Sequence, residues 1–498
     1  MFPLFHSQGA KVGFKHPKQL VSQLIQRPSI LNSLLTLSLV WVVVNLSYVY
    51  LVRHGAKAYR VETSFFIFGF FVLLKLVSGK AYEHGADALI FRDEEKAILV
   101  TVALFCWLLI YLPFLKFPFL SDDYVFLMRL KDGHHIVLAE GFFRPIFNLV
   151  FFVLLRIFGY TALPFHVLGF SLHLGCSVLV YFLLERMFKS FAMAFLGALV
   201  FLFSPVQAEA VLWISGLQEL LWVFWLLLAA FFYTRTEEIG KTEIILASLF
   251  TAVALLSKET AVCFILFFPA LDIFAYRFKR GRHLKWAYIA FVIILAFFGL
   301  VRAVVLTIPS DFLGLPNRLF IKNFLIQPFK VFVAPWNQSY FGGLAALKYV
   351  LLTAGALILC AASLKSKIGR PFLLGIGLIY AGVLPLYRMF YVALDLQGSR
   401  YLYFSVFGWS VVLASVFQGL IKRKAAYVIL SASLLLGLGL ALSGNLLVWK
   451  KAGGIIQTLP ENMVREAAPD NFYGAYILRN GYDEFKILKL EIKDFKKK

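Results

Sequence analysis

Several short polar motifs interrupt an otherwise apolar chain, and each carries groups that can manage charge. Ser121-Asp122-Asp123-Tyr124 places two adjacent carboxylates directly after an apolar run. One of two such carboxylates can act as a general base while the other orients it or tunes its pKa; the alternative is the solvated end of a helix. Phe142-Phe143-Arg144-Pro145 follows, with Pro145 suited to the first turn of a helix. Arg144 could pair with Asp122 or Asp123, or snorkel to the membrane surface. His166 and His173 lie seven apart in an apolar stretch and share one helix face. They could bind a metal or relay protons, but hydrogen bonding inside a bundle accounts for them equally well. Glu209 in SPVQAEAV and Glu219 in ISGLQELL sit in a segment almost devoid of positive charge. In LSKET, Lys258 offers a point charge to a phosphate and Glu259 could hold it in place. In GSRYLY, Arg400 offers a bidentate fork beside Tyr401, with Arg388 and Asp395 shortly before it.

The elements that position these groups are membrane helices. Of 498 residues, 61% are hydrophobic and 15% charged, and the mean hydropathy is +0.81. Soluble globular chains run about 45–50% apolar and about 25% charged. A soluble enzyme, a disordered chain and a disulfide-stapled secreted domain are excluded. Forty-nine Lys and Arg against twenty-seven Asp and Glu give +22, with the basic residues clustered between apolar runs. That is the pattern of cytoplasmic loops, and it argues for membrane lipids and against nucleic acid as a partner. Cys106, Cys176, Cys263 and Cys360 are isolated inside apolar runs, without a CxxC, and read as small core residues.

A span needs about 20 apolar residues. Thirteen stretches qualify as candidates, at 30–52, 63–79, 97–119, 163–184, 190–204, 217–233, 243–257, 260–276, 286–307, 343–362, 370–386, 401–419 and 425–445. Residues 1–29 are polar and basic, so the first apolar run reads as an uncleaved anchor. The stretch 146–158 is short and carries Arg156, which predicts an interfacial helix. With the N-terminus in the cytoplasm, the basic loop RFKRGRHLK falls inside, as do Arg186 with Lys189, Lys365 with Lys367, and Lys422 to Lys424. Arg53, Lys57 and Arg60 run against that orientation. The expectation is an all-α polytopic integral membrane protein, a bundle of about 11–13 transmembrane helices with outer-face loops. Residues 1–95 form an appendage with two spans, 96–445 the core, and 446–498 a small α+β external tail with a hairpin at Asn480-Gly481. The segment 308–342, with four prolines, is expected as an irregular external loop carrying a short helix.

In this orientation the acid pair, Lys258 and Arg400 all fall on the outer side, although none of them entered the span assignment. Acids and cations at one membrane face suit a reaction between an anionic lipid headgroup and a neutral acceptor. A transporter or lipid flippase and a non-catalytic membrane scaffold are the competing readings. No inverted pair of broken helices supports a transporter.

The order SDDY, FRP with its apolar helix, LPFHVLGFSLHL, SPVQAEAVLWISGLQELL, LSKET and GSRYLY resembles the type C (GT-C) glycosyltransferase superfamily. The similarity is greatest to bacterial members related to protein O-mannosyltransferases and the tetratricopeptide-bearing transmembrane mannosyltransferases, and it covers roughly residues 97–485. The resemblance implies a GT-C-like bundle that transfers a sugar from a polyprenyl-phosphate donor to a lipid, glycan or protein hydroxyl on the extracytoplasmic face of the inner membrane. Asp122 or Asp123 is then the general base, and the resemblance does not rank them. Lys258 and Arg400 hold the lipid phosphate, with Arg144, His166, Glu209, Glu219, Glu259, Arg388 and Tyr401 around the substrates. No cofactor is expected: the paired carboxylates could hold a divalent cation, but a base with its orienting neighbour needs none; phosphate leaves without an acid, and single displacement would invert the anomeric centre. The chain departs from the family's pattern at Ser171 and Gln218, and no tetratricopeptide repeats follow.

Overall fold

The computed structural model describes residues 91–131, 142–276, 283–305, 321–338, 369–387, 390–421 and 424–458. In chain order the helices are α1 Asp93–Tyr111, α2 Asp122–Lys131, α3 Pro145–Phe158, α4 Leu163–Phe188 and α5 Phe191–Leu202. There follow α6 Ala208–Leu212, α7 Leu217–Tyr233, α8 Lys241–Ser257, α9 Phe264–Ala270 and α10 Leu284–Val305. The last four are α11 Gln327–Val333, α12 Gly369–Val383, α13 Tyr403–Leu420 and α14 Lys424–Thr458. Among the described residues there is no strand, and eight helices are long and apolar enough to cross a membrane. The protein is an all-α polytopic membrane protein.

Three of the expected spans, 30–52, 63–79 and 343–362, lie outside the described residues, as does nearly all of the 1–95 appendage. Each of the others overlaps helical structure, and all but 243–257 and 260–276 correspond to helices long and apolar enough to cross a membrane. The stretch expected as an interfacial helix is α3, whose Phe147, Asn148 and Phe151 are buried while Leu149, Val153 and Ile157 are exposed. The expected span 260–276 is not one continuous α-helix. It begins as a 3-10 turn at Glu259–Cys263, becomes α9, and ends as a π-helical turn at Leu271–Tyr276. Pro269, which has no N–H to give to an α-helical ladder, lies within α9. The first residues of the expected tail are helical. Residues 446–458 continue α14, because Leu446, Val448, Trp449 and Ala452 stay buried beyond the apolar run. The hairpin expected at Asn480-Gly481 lies outside the described residues.

The core is built around α5. Of its residues only Phe191 is not buried. It packs between α4 and α13. At the other extreme, Ile289, Val292, Ile293, Phe297, Leu300 and Val304 of α10 are all exposed. A helix apolar all round, with one face uncovered, is suited to lipid.

Helices in a bilayer gain no hydrophobic drive toward one another, so close approach through small residues matters. The tightest crossing is α12 on α13. A Cβ on Gly375 would fall 2.8 Å from the Gly408 carbonyl oxygen, and one on Gly408 would fall 2.6 Å from the Gly375 carbonyl oxygen. Gly408→Val is therefore expected to lower thermal stability in detergent by about 1–3 kcal/mol or more. Gly377→Ala on α12, with nothing within 4 Å of its Cβ position, is expected to leave stability unchanged. Parallel melts of the two variants check this.

Candidate active site

The acid motif opens α2 at one end of the bundle. Ser121 holds a left-handed backbone at φ 53, a conformation that costs a serine about 1–2 kcal/mol. The loop before it is pinned from several sides. Trp213 Nε1 donates to the Leu120 carbonyl at 3.1 Å and Tyr124 Oη to the Phe119 carbonyl at 2.7 Å. His166 Nε2 lies 3.0 Å from the Phe117 carbonyl oxygen, the geometry of an N–H donor.

The two aspartates differ sharply. Asp123 is 1% exposed, and both of its carboxylate oxygens are engaged. Oδ2 accepts the Leu120 N–H at 2.8 Å, while Oδ1 accepts the Ser215 N–H at 2.7 Å and the Ser215 hydroxyl. Burial pushes its carboxyl up to about 7, against the pull of these bonds, and the neighbouring Asp122 charge adds to the rise. Asp122 is only half-buried, with Ser121 Oγ 3.4 Å from its Oδ1. Asp123 therefore fixes the loop, and Asp122 is the less buried of the two carboxylates.

Three ion pairs surround the motif, each joining segments distant in sequence. Arg144, on the residue before α3, forms a bidentate pair with Glu259: Nε donates to Oε2 at 2.9 Å and Nη2 to Oε1. Its Nη1 donates to Gln218 Oε1, and its guanidinium lies 4.2 Å from the Phe142 ring centre. Lys258 Nζ donates to Glu219 Oε1, and Trp222 Nε1 donates to Glu219 Oε2 at 2.6 Å. Arg400 Nη1 donates to Glu209 Oε1 while its own N–H donates to Glu209 Oε2 at 2.8 Å.

Burial raises the free energy of a charged Glu259, yet Arg144 and then Lys258 outweigh it and hold the carboxyl down to about 2. For Lys258, burial disfavours the ammonium and lowers its pKa, while Glu219 opposes that loss. The cations differ in access. The Lys258 side chain is 4% exposed, whereas those of Arg144 and Arg400 are 12% and 16% exposed. Tyr401 lies between two of them. Its ring centre is 5.3 Å from Lys258 Nζ and 4.7 Å from the Arg400 guanidinium, and Arg400 Nη2 donates to its hydroxyl at 3.0 Å.

The turn carrying Arg400 depends on Gly398. Its φ is +85, and a Cβ there would come 2.3 Å from the Tyr391 carbonyl oxygen, so no other residue fits. Behind it, Asn445 on α14 stitches the turns at this end of the bundle together. Its Nδ2 donates to the Pro205 and Pro335 carbonyls, and its Oδ1 accepts the Asn337 N–H.

With this geometry in hand, comparison with known proteins adds one finding. The chain is 29% identical over 146 residues to Protein O-mannosyl-transferase F38B6.6 of Caenorhabditis elegans. The match spans 29% of this chain and about a fifth, 21%, of that relative's length. No protein family's profile matches the chain, and no solved structure does.

The structure thus gathers Asp122, Asp123, Arg144, Glu209, Glu219, Lys258, Glu259, Arg400 and Tyr401 at one end of the bundle, while Arg388 lies outside the described residues. Two expected pairings are replaced. Arg144 is bound to Glu259 and Gln218 and not to the acid pair, and Lys258 is held by Glu219 while Glu259 serves Arg144. The reason is reach: Gln218 and Glu219 enter from the start of α7, between the two motifs that sequence order brings closest together. His166 buttresses the acid loop from inside, and His173 joins Tyr403 Oη and the Leu202 carbonyl within the core. Among the described residues no group of three or more His, Cys, Asp or Glu is arranged to hold a metal ion. Sequence reasoning did not assign roles to Ser215, Trp222 or Asn445. Asn445, a lone amide in an apolar run, was the one visible signal.

Two outcomes follow from the buried groups. Lys258→Met leaves Glu219 charged and without its cation, which is expected to cost about 3–5 kcal/mol in a thermal melt. Adding Glu219→Gln is expected to recover part of that loss. For Asp123, whose folded pKa lies above its ordinary 3.8, the stabilising contribution is complete below pH 3.8 and lost as pH rises through about 7. The thermal midpoint of the wild type is expected to carry this downward slope between those values, and Asp123→Asn to remove it.

Proposed function

We propose that the chain is a membrane glycosyltransferase that moves a sugar from a polyprenyl-phosphate donor to an acceptor hydroxyl, with inversion, on the extracytoplasmic face. The observation that carries this reading is the half-buried Asp122 at the same end of the bundle as two partly exposed arginines. The similarity to a protein named as an O-mannosyl-transferase supports it. The face rests on the distribution of basic loops, which puts this end of the bundle outside.

In this reading Asp122 takes the acceptor's hydroxyl proton. The acceptor oxygen attacks the anomeric carbon from the side opposite the phosphate. The bond from that carbon to the phosphate oxygen breaks, and the phosphate leaves with its electron pair. One displacement inverts the centre and needs no acid for a leaving group already stable as an anion. Arg400 and Arg144, the less buried of the three cations, are the guanidinium forks for the phosphate. Lys258, buried beneath Tyr401, acts as the fixed charge behind them. The site's charges stand at the bundle's end and not midway along its spans, which favours chemistry on a headgroup over passage of a solute.

The test is sugar transfer in liposomes from a small panel of polyprenyl-phosphate sugars, with native lipid extract as acceptor, followed by mass spectrometry of the carrier phosphate. Asp122→Asn is expected to lower kcat by about 10²-fold or more with donor binding retained. Asp123→Asn is expected to lower activity together with stability, because the Leu120 N–H loses its acceptor. Full activity in both variants would end the general-base reading.

A further inference from the structure

One set of hydrogen bonds links the acid side of the site to the cation side without a break. Gln218, in the first turn of α7, receives the Arg144 Nη1–H on its carbonyl oxygen. Its own amide Nε2 donates to the Ser215 carbonyl at 2.8 Å. Ser215 in turn gives both its N–H and its hydroxyl to Asp123 Oδ1. On the other side, Arg144 closes its bidentate pair on Glu259, the residue after Lys258. The path thus runs from Glu259 through Arg144, Gln218 and Ser215 to Asp123, the immediate neighbour of Asp122.

A primary amide is the side chain this position needs. It must accept from a guanidinium at one end and donate to a backbone carbonyl at the other, and both ends are satisfied here. A carboxylate could keep the first bond but has no hydrogen for the second. An apolar side chain of the same length could keep neither. The turn it braces is tight, since a Cβ on Gly216 would fall 2.6 Å from the Ala210 carbonyl oxygen. Ser215 holds Asp123, the second residue of α2, by two hydrogen bonds.

We propose that Gln218 is a positioning residue that sets the spacing between the acid motif and the Lys258–Glu259 motif, and so between the base and the phosphate-binding cations. The assignment rests on the transferase reading for its catalytic consequence. Gln218 does not touch the reacting atoms; it acts through Ser215 and Arg144.

Two near-isosteric variants separate the halves of the link. Gln218→Glu keeps the acceptor for Arg144 and loses the donor to Ser215, so only the acid side loosens. Gln218→Met loosens both. In the transfer assay Gln218→Glu is expected to lower kcat about 10-fold with donor KM nearly unchanged, whereas Gln218→Met lowers kcat and raises donor KM together. Hydrogen exchange by mass spectrometry on the purified full chain in detergent supplies a readout independent of turnover. Gln218→Met is expected to speed exchange in peptides covering both 119–126 and 258–264, and Gln218→Glu in 119–126 alone. Exchange that changes only around 214–221, or nowhere, would overturn the coupling, as would wild-type kcat and KM in both variants. A wild type that turns over no donor would count against the transferase reading, and exchange would then decide the coupling alone.

Discussion

An ion taken out of water beside an apolar bundle costs several kcal/mol, on the order of the whole net stability of a domain, unless a counter-ion and hydrogen bonds replace its hydration. This cost shapes one end of the molecule. Arg144, Lys258 and Arg400 each meet a glutamate from a different segment, and the three pairs tie together motifs up to 191 positions apart. Such pairs add little net stability compared with apolar packing of the same volume, but breaking one by removing a single partner is severe. Their effect is on geometry. They fix where α3, α7, α8 and α13 begin or end relative to one another, and hence where the acid loop stands.

That constraint also separates the two adjacent aspartates. Asp123 gives both carboxylate oxygens to Leu120 and Ser215, in a site where burial already opposes its charge. Asp122, one residue earlier, stays at the surface of the same turn. The left-handed Ser121 sets this difference by turning the chain immediately before the pair. The strained residue, the buried anchor and the accessible carboxylate therefore form one local device, held from outside by Trp213 and from inside by His166.

Much of the fold was legible because apolar runs of span length admit few alternatives in a membrane, and eight of the ten expected spans within the described residues correspond to helices long and apolar enough to cross one. The limits were local. The apolar run was expected to end at 445, but α14 continues to Thr458, with Leu446, Val448, Trp449 and Ala452 buried along it. Within the site, residue types announced the motifs, since charges at the edge of apolar runs require a reason. Pairing was not legible, because it depends on which helix ends meet in space. Arg144 had two aspartates near it in sequence, yet its partner lies 115 residues away. Ser215 carries no charge and drew no role, and Gln218 stood out only as a departure from the family's pattern, although the two join the two halves of the site.

The central claim is that this end of the bundle receives a lipid-linked sugar phosphate with Asp122 beside it. The most direct measurement is photo-crosslinking with a polyprenyl-phosphate analogue carrying a diazirine next to the phosphate, mapped by mass spectrometry on the full chain in liposomes. The account predicts labelling in peptides containing Asp122, Arg144 and Arg400 to Tyr401, competed by unlabelled donor. Labelling at the opposite end, around Arg186 and Thr234, or labelling spread evenly along the lipid-facing side of α10, would contradict it.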